Sequence, residues 1–133
     1  MSDEINFKHS DLTRKVIGLA MKVHSKLGMG FPEKVYQRAL AIELKNAGVE
    51  FIMEHPQKVF YENQWVGTRR VDFLIASILL VDVKAINEMS NKEFNQIQNY
   101  LEAFNMEIGL LINFGCASLK FNRFVNKSFN PNQ

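Results

Sequence analysis

Apolar positions change period along this chain, and each change marks a boundary between elements. Leu12, Val16, Leu19, Ala20, Val23 and Leu27 recur at three- and four-residue spacing, which predicts a helix over 11–27. Ser10 stands where its hydroxyl can cap the first turn, and Gly28-Met29-Gly30 stops the helix. A second helix is expected from Pro32, whose fixed φ suits a first helical position. Val35, Ala39, Ile42 and Ala47 make its expected inner face, and Gly48 closes it.

Beyond Gly48 the pattern turns extended. Phe51–Glu54 and Lys58–Tyr61 read as two short strands, Glu62-Asn63 as a turn, and Trp65-Val66 as the start of a return strand that runs through Arg70 to Ile75. Leu79–Lys84 is almost continuously apolar and so belongs in the middle of a sheet. A helix over 91–104 is expected to bury Phe94, Ile97, Leu101 and Phe104, followed by strands over 107–113 and 119–125. The predicted order is α-α-β-β-β-β-α-β-β. An α/β fold with one mixed sheet flanked by helices accommodates it most economically.

Composition narrows the class without naming a function. A length of 133 residues suits a single domain over 1–133, with an ordered core at about 10–126 and polar termini. Eleven Phe supply apolar area for a core. The single cysteine, Cys116, excludes an intramolecular disulfide and fits a reducing cytoplasm, where a quiet, partly buried thiol is the plainer reading. Met1–Ser10 carries no apolar signal region, and the longest apolar stretch, 73–81, is too short for a membrane span of about 20 residues, so a soluble cytoplasmic protein is expected. A net charge of +2 does not announce nucleic-acid binding. Lys120, Arg123 and Lys127 lie in an acid-free ending that reads as a solvated strand and tail.

The candidate chemistry depends on one turn. Side chains alternate along a strand, so Asp82 and Lys84 share a face. A two-residue turn at Ala76-Ser77 would pair Ile75 with Ile78 and send Asp72 to the opposite face. A three-residue turn at Ala76-Ser77-Ile78 would pair Ile75 with Leu79 and set Asp72 directly opposite Asp82. Facing carboxylates repel, and a bridging divalent cation reverses that sign. On spacing alone a solvated sheet face is the simpler reading. Against it, Asp82 interrupts the apolar run Ile78-Leu79-Leu80-Val81, where an unpartnered charge is costly.

Gly30-Phe31-Pro32-Glu33-Lys34-Val35-Tyr36, Arg70-Val71-Asp72, Val81-Asp82-Val83-Lys84-Ala85, Gln96 with Asn99-Tyr100-Leu101, and Gly109-Leu110-Leu111-Ile112-Asn113-Phe114-Gly115 occur in order. With Val16-Ile17-Gly18, Val23-His24 and Ala39–Leu44, the chain resembles the GxxExxY proteins of the PD-(D/E)XK nuclease superfamily, from about Val16 to Arg123. The resemblance implies a restriction-endonuclease-like fold and a metal-dependent nuclease acting on DNA or RNA with Mg²⁺ or Mn²⁺. It implies Asp72 as the first metal-binding acid, Asp82 and Lys84 as the (D/E)-x-K pair, Glu33 as the helical acid completing the metal set, and Gln96 as a helix residue facing the site. Asp82 stands where the family usually has glutamate, and Pro32 where an aliphatic residue is common.

Each of these residues also has a plainer reading. Glu33 in a first helical turn suits the macrodipole without any further task, and Gln96 with Tyr100 is an i, i+4 pair able to hydrogen-bond structurally. His9, His24 and His55 lack zinc-ligand spacing, and Gly28-Met29-Gly30 follows a helix, so it is no phosphate loop. Two further functional classes stay open beside the nuclease: a catalytically silent nucleic-acid or protein-binding module, which the modest charge favours, and a homodimer whose groove forms between subunits.

Overall fold

In the computed structural model, which describes residues 9–133, helix α1 (Ser10–Leu27) buries Thr13, Val16, Ala20 and Val23 on one stripe. The polar opening of the chain, residues 1–8, lies outside the described residues. Ser10 is already helical; the capping position falls on His9, at φ 60 with no side-chain cap. Thr13 Oγ1 instead donates to His9 O at 3.1 Å.

Helix α2 (Glu33–Asn46) starts one residue later than expected, with Pro32 extended at the capping position. Its inner face is Tyr36, Gln37, Leu40 and Leu44, and Ile42 is 61% exposed. The predicted stripe was therefore rotated by about one residue. Tyr36 decides the rotation: its ring stacks on Phe114 at 4.7 Å, while its hydroxyl donates to Gly28 O at 2.6 Å and accepts from Phe31 N at 3.2 Å. A large ring with a satisfied hydroxyl is worth burying.

The two short strands expected before residue 62 are one strand, β1 (Phe51–Tyr61), so the order becomes α-α-β-β-β-α-β-β. Glu54, at φ 53, and Pro56 break the sequence pattern there, but β1 is an edge strand, where a missing N–H is tolerated. The left-handed pair Glu62-Asn63 turns it into β2 (Gln64–Ile75).

Strand β3 (Leu79–Lys84) leads through helix α3 (Asn91–Ala103) to β4 (Ile108–Asn113) and β5 (Lys120–Val125). The sheet runs β1-β2-β3-β4-β5, with β3 and β4 parallel and the other neighbours antiparallel. Phe73, Ile75, Val81, Val83, Leu110 and Ile112 pack on α1 and α2, whereas Leu80 and Leu111 pack against Ile97 and Leu101 of α3. Tyr100 joins Ile97 and Leu101 on the buried stripe, and Phe94 and Phe104 pack against it half-buried. A Cβ on Gly109 would lie 3.1 Å from the Leu101 methyls, so this glycine lets α3 sit close to the sheet. Ser90 and Glu93 form a reciprocal capping box that fixes where α3 begins. No described helix is long and apolar enough to cross a membrane.

Candidate active site

The link between β2 and β3 is the three-residue turn. Ala76 and Ser77 take φ values of 54 and 57, Ile78 N–H donates to Ile75 O at 2.9 Å, and Ile75 pairs with Leu79. Pairing continues through Leu74–Leu80 to Phe73–Val81. One step further along the same register, Asp72 stands across from Asp82. There the ladder ends, and the Asp72 side chain takes over as acceptor: Val83 N–H donates to its Oδ2 at 2.6 Å. Gln37 Nε2, from the buried face of α2, donates to its Oδ1 at 3.1 Å.

Asp82 is only 4% exposed. Its Oδ2 is buried without a hydrogen bond; Lys84 Nζ lies 3.5 Å away, an ion pair lacking hydrogen-bond alignment. Burial, and then the hydrogen bond and charge of Asp82, push the Asp72 carboxyl up to about 8, against the downward pull of Val83 N–H and Lys84. Near neutral pH the pair of acids therefore keeps a proton that isolated aspartates would lose.

Lys84 Nζ donates to Gln96 Oε1 at 2.7 Å, and Gln96 Nε2 donates to Tyr100 Oη at 3.3 Å. Burial, then the Asp82 charge, raises the Tyr100 hydroxyl pKa, while the Arg69 guanidinium, 5.4 Å over the ring, lowers it. Glu33 is exposed as a residue, yet its carboxyl is partly shielded. Burial and then the Asp72 charge push it up, with Lys84 and Lys34 opposing.

Of the five residues expected from sequence, Asp72, Asp82, Lys84 and Gln96 form one connected network, and Glu33 lies at its rim within reach of the same charges. Among the described residues no three His, Cys, Asp or Glu side chains converge as a metal cage. What converges is a carboxylate pair with an orphaned oxygen, a hard donor set that fits a divalent cation. The hydrophobic pattern does not mark Gln37, a polar residue on a buried stripe; its one signal is that it lies a helical turn after Glu33. His24 is structural: its Nε2 bonds Cys116 O at 2.9 Å and ties α1 to the loop after β4.

A family model described as the PD-(D/E)XK nuclease superfamily matches residues 10–124. The chain belongs to this superfamily. Its mixed sheet flanked by helices is consistent with a PD-(D/E)XK fold. The crystal structure of SSO0001 superposes on this PD-(D/E)XK domain with a TM-score of 0.53 and 18% identity, a likeness of fold. The superposition covers 70% of this chain and 49% of that one, so the domain spans about half of its length. No curated protein matches this PD-(D/E)XK chain in sequence.

Proposed function

We propose that this chain is a nuclease that hydrolyses phosphodiester bonds of DNA or RNA with Mg²⁺ or Mn²⁺. The observation that carries this reading is Asp82, a buried carboxylate whose Oδ2 accepts no hydrogen bond, set against a second, half-buried carboxylate, Asp72. Two acids held together at such a site repel when both are ionised, and a divalent cation between them would reverse that sign. Asp72 and Asp82 would hold the cation, with Glu33 reaching it from the start of α2. When bound, such an ion supplies Lewis acidity and a more acidic water. The Lys84 ammonium, steadied by Gln96, would orient the attacking water and offset charge developing on the phosphate. Gln37 and Val83 N–H keep Asp72 aimed at Asp82.

The Gly30–Glu33–Tyr36 pattern supports membership of the GxxExxY group within the superfamily. Gly30 takes φ 109, which favours glycine, and Tyr36 clamps the loop ahead of Glu33. The free thiol Cys116 supports work in a reducing cytoplasm. Purified chain should cleave DNA or RNA when Mg²⁺ or Mn²⁺ is added. Lys84→Ala and Asp82→Ala should each lower the rate by about 10²-fold or more. Activity that survives both substitutions would sink the assignment.

A second reading, a catalytically silent binding module, is favoured by the engagement of Lys84 with Gln96 and Asp82. Metal-independent binding that persists in Asp82→Ala, with no cleavage by the parent chain, selects it. Sedimentation at two concentrations tests whether the groove is completed by a homodimer.

A further inference from the structure

The pairing of β2 with β3 stops at Phe73–Val81, while its pairing with β1 continues to Tyr61–Gln64. The outer parts of β1 and β2 therefore leave the sheet as a two-stranded arm. Isolated two-stranded ribbons are marginal in water, yet this one exposes Phe60 at 59%, Trp65 at 62% and Tyr61 at 70%. A cluster of exposed aromatics at the end of such a ribbon points to something that covers it.

Cross-strand partners share a face. Phe60 pairs with Trp65, Lys58 with Thr68 and Pro56 with Arg70. Lys58 Nζ lies 5.7 Å over the Trp65 ring, which fixes the two on one side. That face thus carries two exposed aromatic rings at its tip and two exposed cations, Lys58 and Arg70, behind them. Its inner end reaches the carboxylate site. Arg70, the innermost cation of that face, lies two residues before Asp72 on β2. From Arg70 to Trp65 the strand covers about 16 Å.

We infer that the Phe60–Trp65 face of this arm binds single-stranded nucleic acid and leads it toward the Asp72–Asp82 site. This rests on the nuclease reading of that site. Charge selects the occupant: that face carries Lys58 and Arg70, and neither 55–61 nor 64–70 contains an acid. Cations would take phosphates, and the rings would stack on unpaired bases, whose faces a duplex keeps closed. A second copy of the chain would bring an equally positive arm to the same place.

Trp65 is the only tryptophan, so intrinsic fluorescence reports the arm directly. The full chain in EDTA, where no cleavage occurs, is titrated with oligothymidylate and with a blunt duplex. The single strand should quench Trp65 saturably, and the duplex should quench it less. In fluorescence anisotropy, Trp65→Ala should weaken single-strand binding about tenfold, with Trp65→Phe within about threefold of the parent. Lys58→Ala with Arg70→Ala should reduce the single-strand salt slope by about 1.4. Lys58, Trp65 and Arg70 are all exposed, and unchanged melting curves would show that the variants fold.

Single-strand affinity unchanged in Trp65→Ala and Phe60→Ala overturns the inference, as does equal quenching by duplex. A dimer in sedimentation that those substitutions abolish also overturns it, by assigning the rings to a second copy. Retained cleavage with unaltered affinity overturns the arm alone. Binding by the arm with no cleavage under any metal upholds the arm and overturns only the nuclease reading.

Discussion

Lys84 Nζ and Gln96 Oε1 are joined by a 2.7 Å hydrogen bond that ties the end of β3 to the middle of α3. The same ammonium lies 3.5 Å from Asp82 Oδ2, so two groups compete for it. Removing the amide leaves the carboxylate as its main partner and draws the lysine toward the acids. Gln96→Ala should lower kcat by about 10- to 100-fold, because a displacement near 1 Å is enough to disturb a positioned group. KM should change little, since Gln96 acts through Lys84. Single-turnover cleavage with saturating Mn²⁺ checks this, and a selective rise in KM would place Gln96 against the substrate instead.

Burial and the neighbouring Asp82 hold the Asp72 carboxyl at about 8, well above its ordinary value of 3.8. The folded chain therefore keeps a proton that the unfolded chain gives up. Stability from this source is fully present below about pH 4 and is lost as pH rises through about 8. In EDTA, the Tm should fall between about pH 5 and pH 8, and Asp72→Asn should flatten that slope. Mg²⁺ should raise the Tm more at the upper pH, because binding must displace the shared proton. Thermal melts in a buffer series read both effects.

The carboxylate site was legible to the extent that it depends on strand alternation. Asp82 and Lys84 lie two apart on a strand, and only the turn length at Ala76–Ile78 was open. The left-handed Ala76-Ser77 pair that settles it has no glycine or asparagine to betray it. Polar groups on buried faces were illegible for a different reason. Gln37 is 1% exposed and Glu93 is 9% exposed, and a hydrophobic pattern skips both. Their burial follows from partners distant in sequence or at a cap: Asp72 for Gln37, and Ser90 for Glu93. Ile42 errs the other way, as an aliphatic residue left exposed once Tyr36 claimed the inner stripe. β1 was split because Glu54 and Pro56 suit no central strand, and only its place at the sheet edge accommodates them.

Tyr36 connects the loop before α2 to the core. Its hydroxyl satisfies Gly28 O and Phe31 N, while its ring is fully buried against Phe114. Tyr36→Phe keeps the stacking and strands two main-chain groups. A loss of about 1–3 kcal/mol in urea unfolding is expected. Hydrogen exchange should quicken first at 28–33, and metal affinity should fall only modestly, since Glu33 begins the helix that this loop leads into.

Among the glycines, Gly115 lies closest to a neighbouring segment. A Cβ there would lie 2.4 Å from Ile86 N and O and 2.7 Å from Ala85 C, all main-chain atoms that cannot swing aside. Asn113 locks the same segments together: its Oδ1 accepts from Ile86 N and Gly115 N at 3.0 Å each, and its Nδ2 donates to Ile86 O at 2.9 Å. Phe114 N–H donates to Lys84 O at 2.8 Å, so any shift reaches the lysine. Gly115→Ala should cost about 1–3 kcal/mol or more and lower cleavage with it. Gly18, within α1, has nothing within 4 Å of a Cβ, and Gly18→Ala should gain about 0.5–1 kcal/mol through helix propensity alone. Urea unfolding of the two variants side by side separates the close contact at Gly115 from the general effect of removing a glycine. Equal stabilisation of both would show that the β4–β5 loop yields freely and that its approach to Ala85-Ile86 does not hold Lys84 in place.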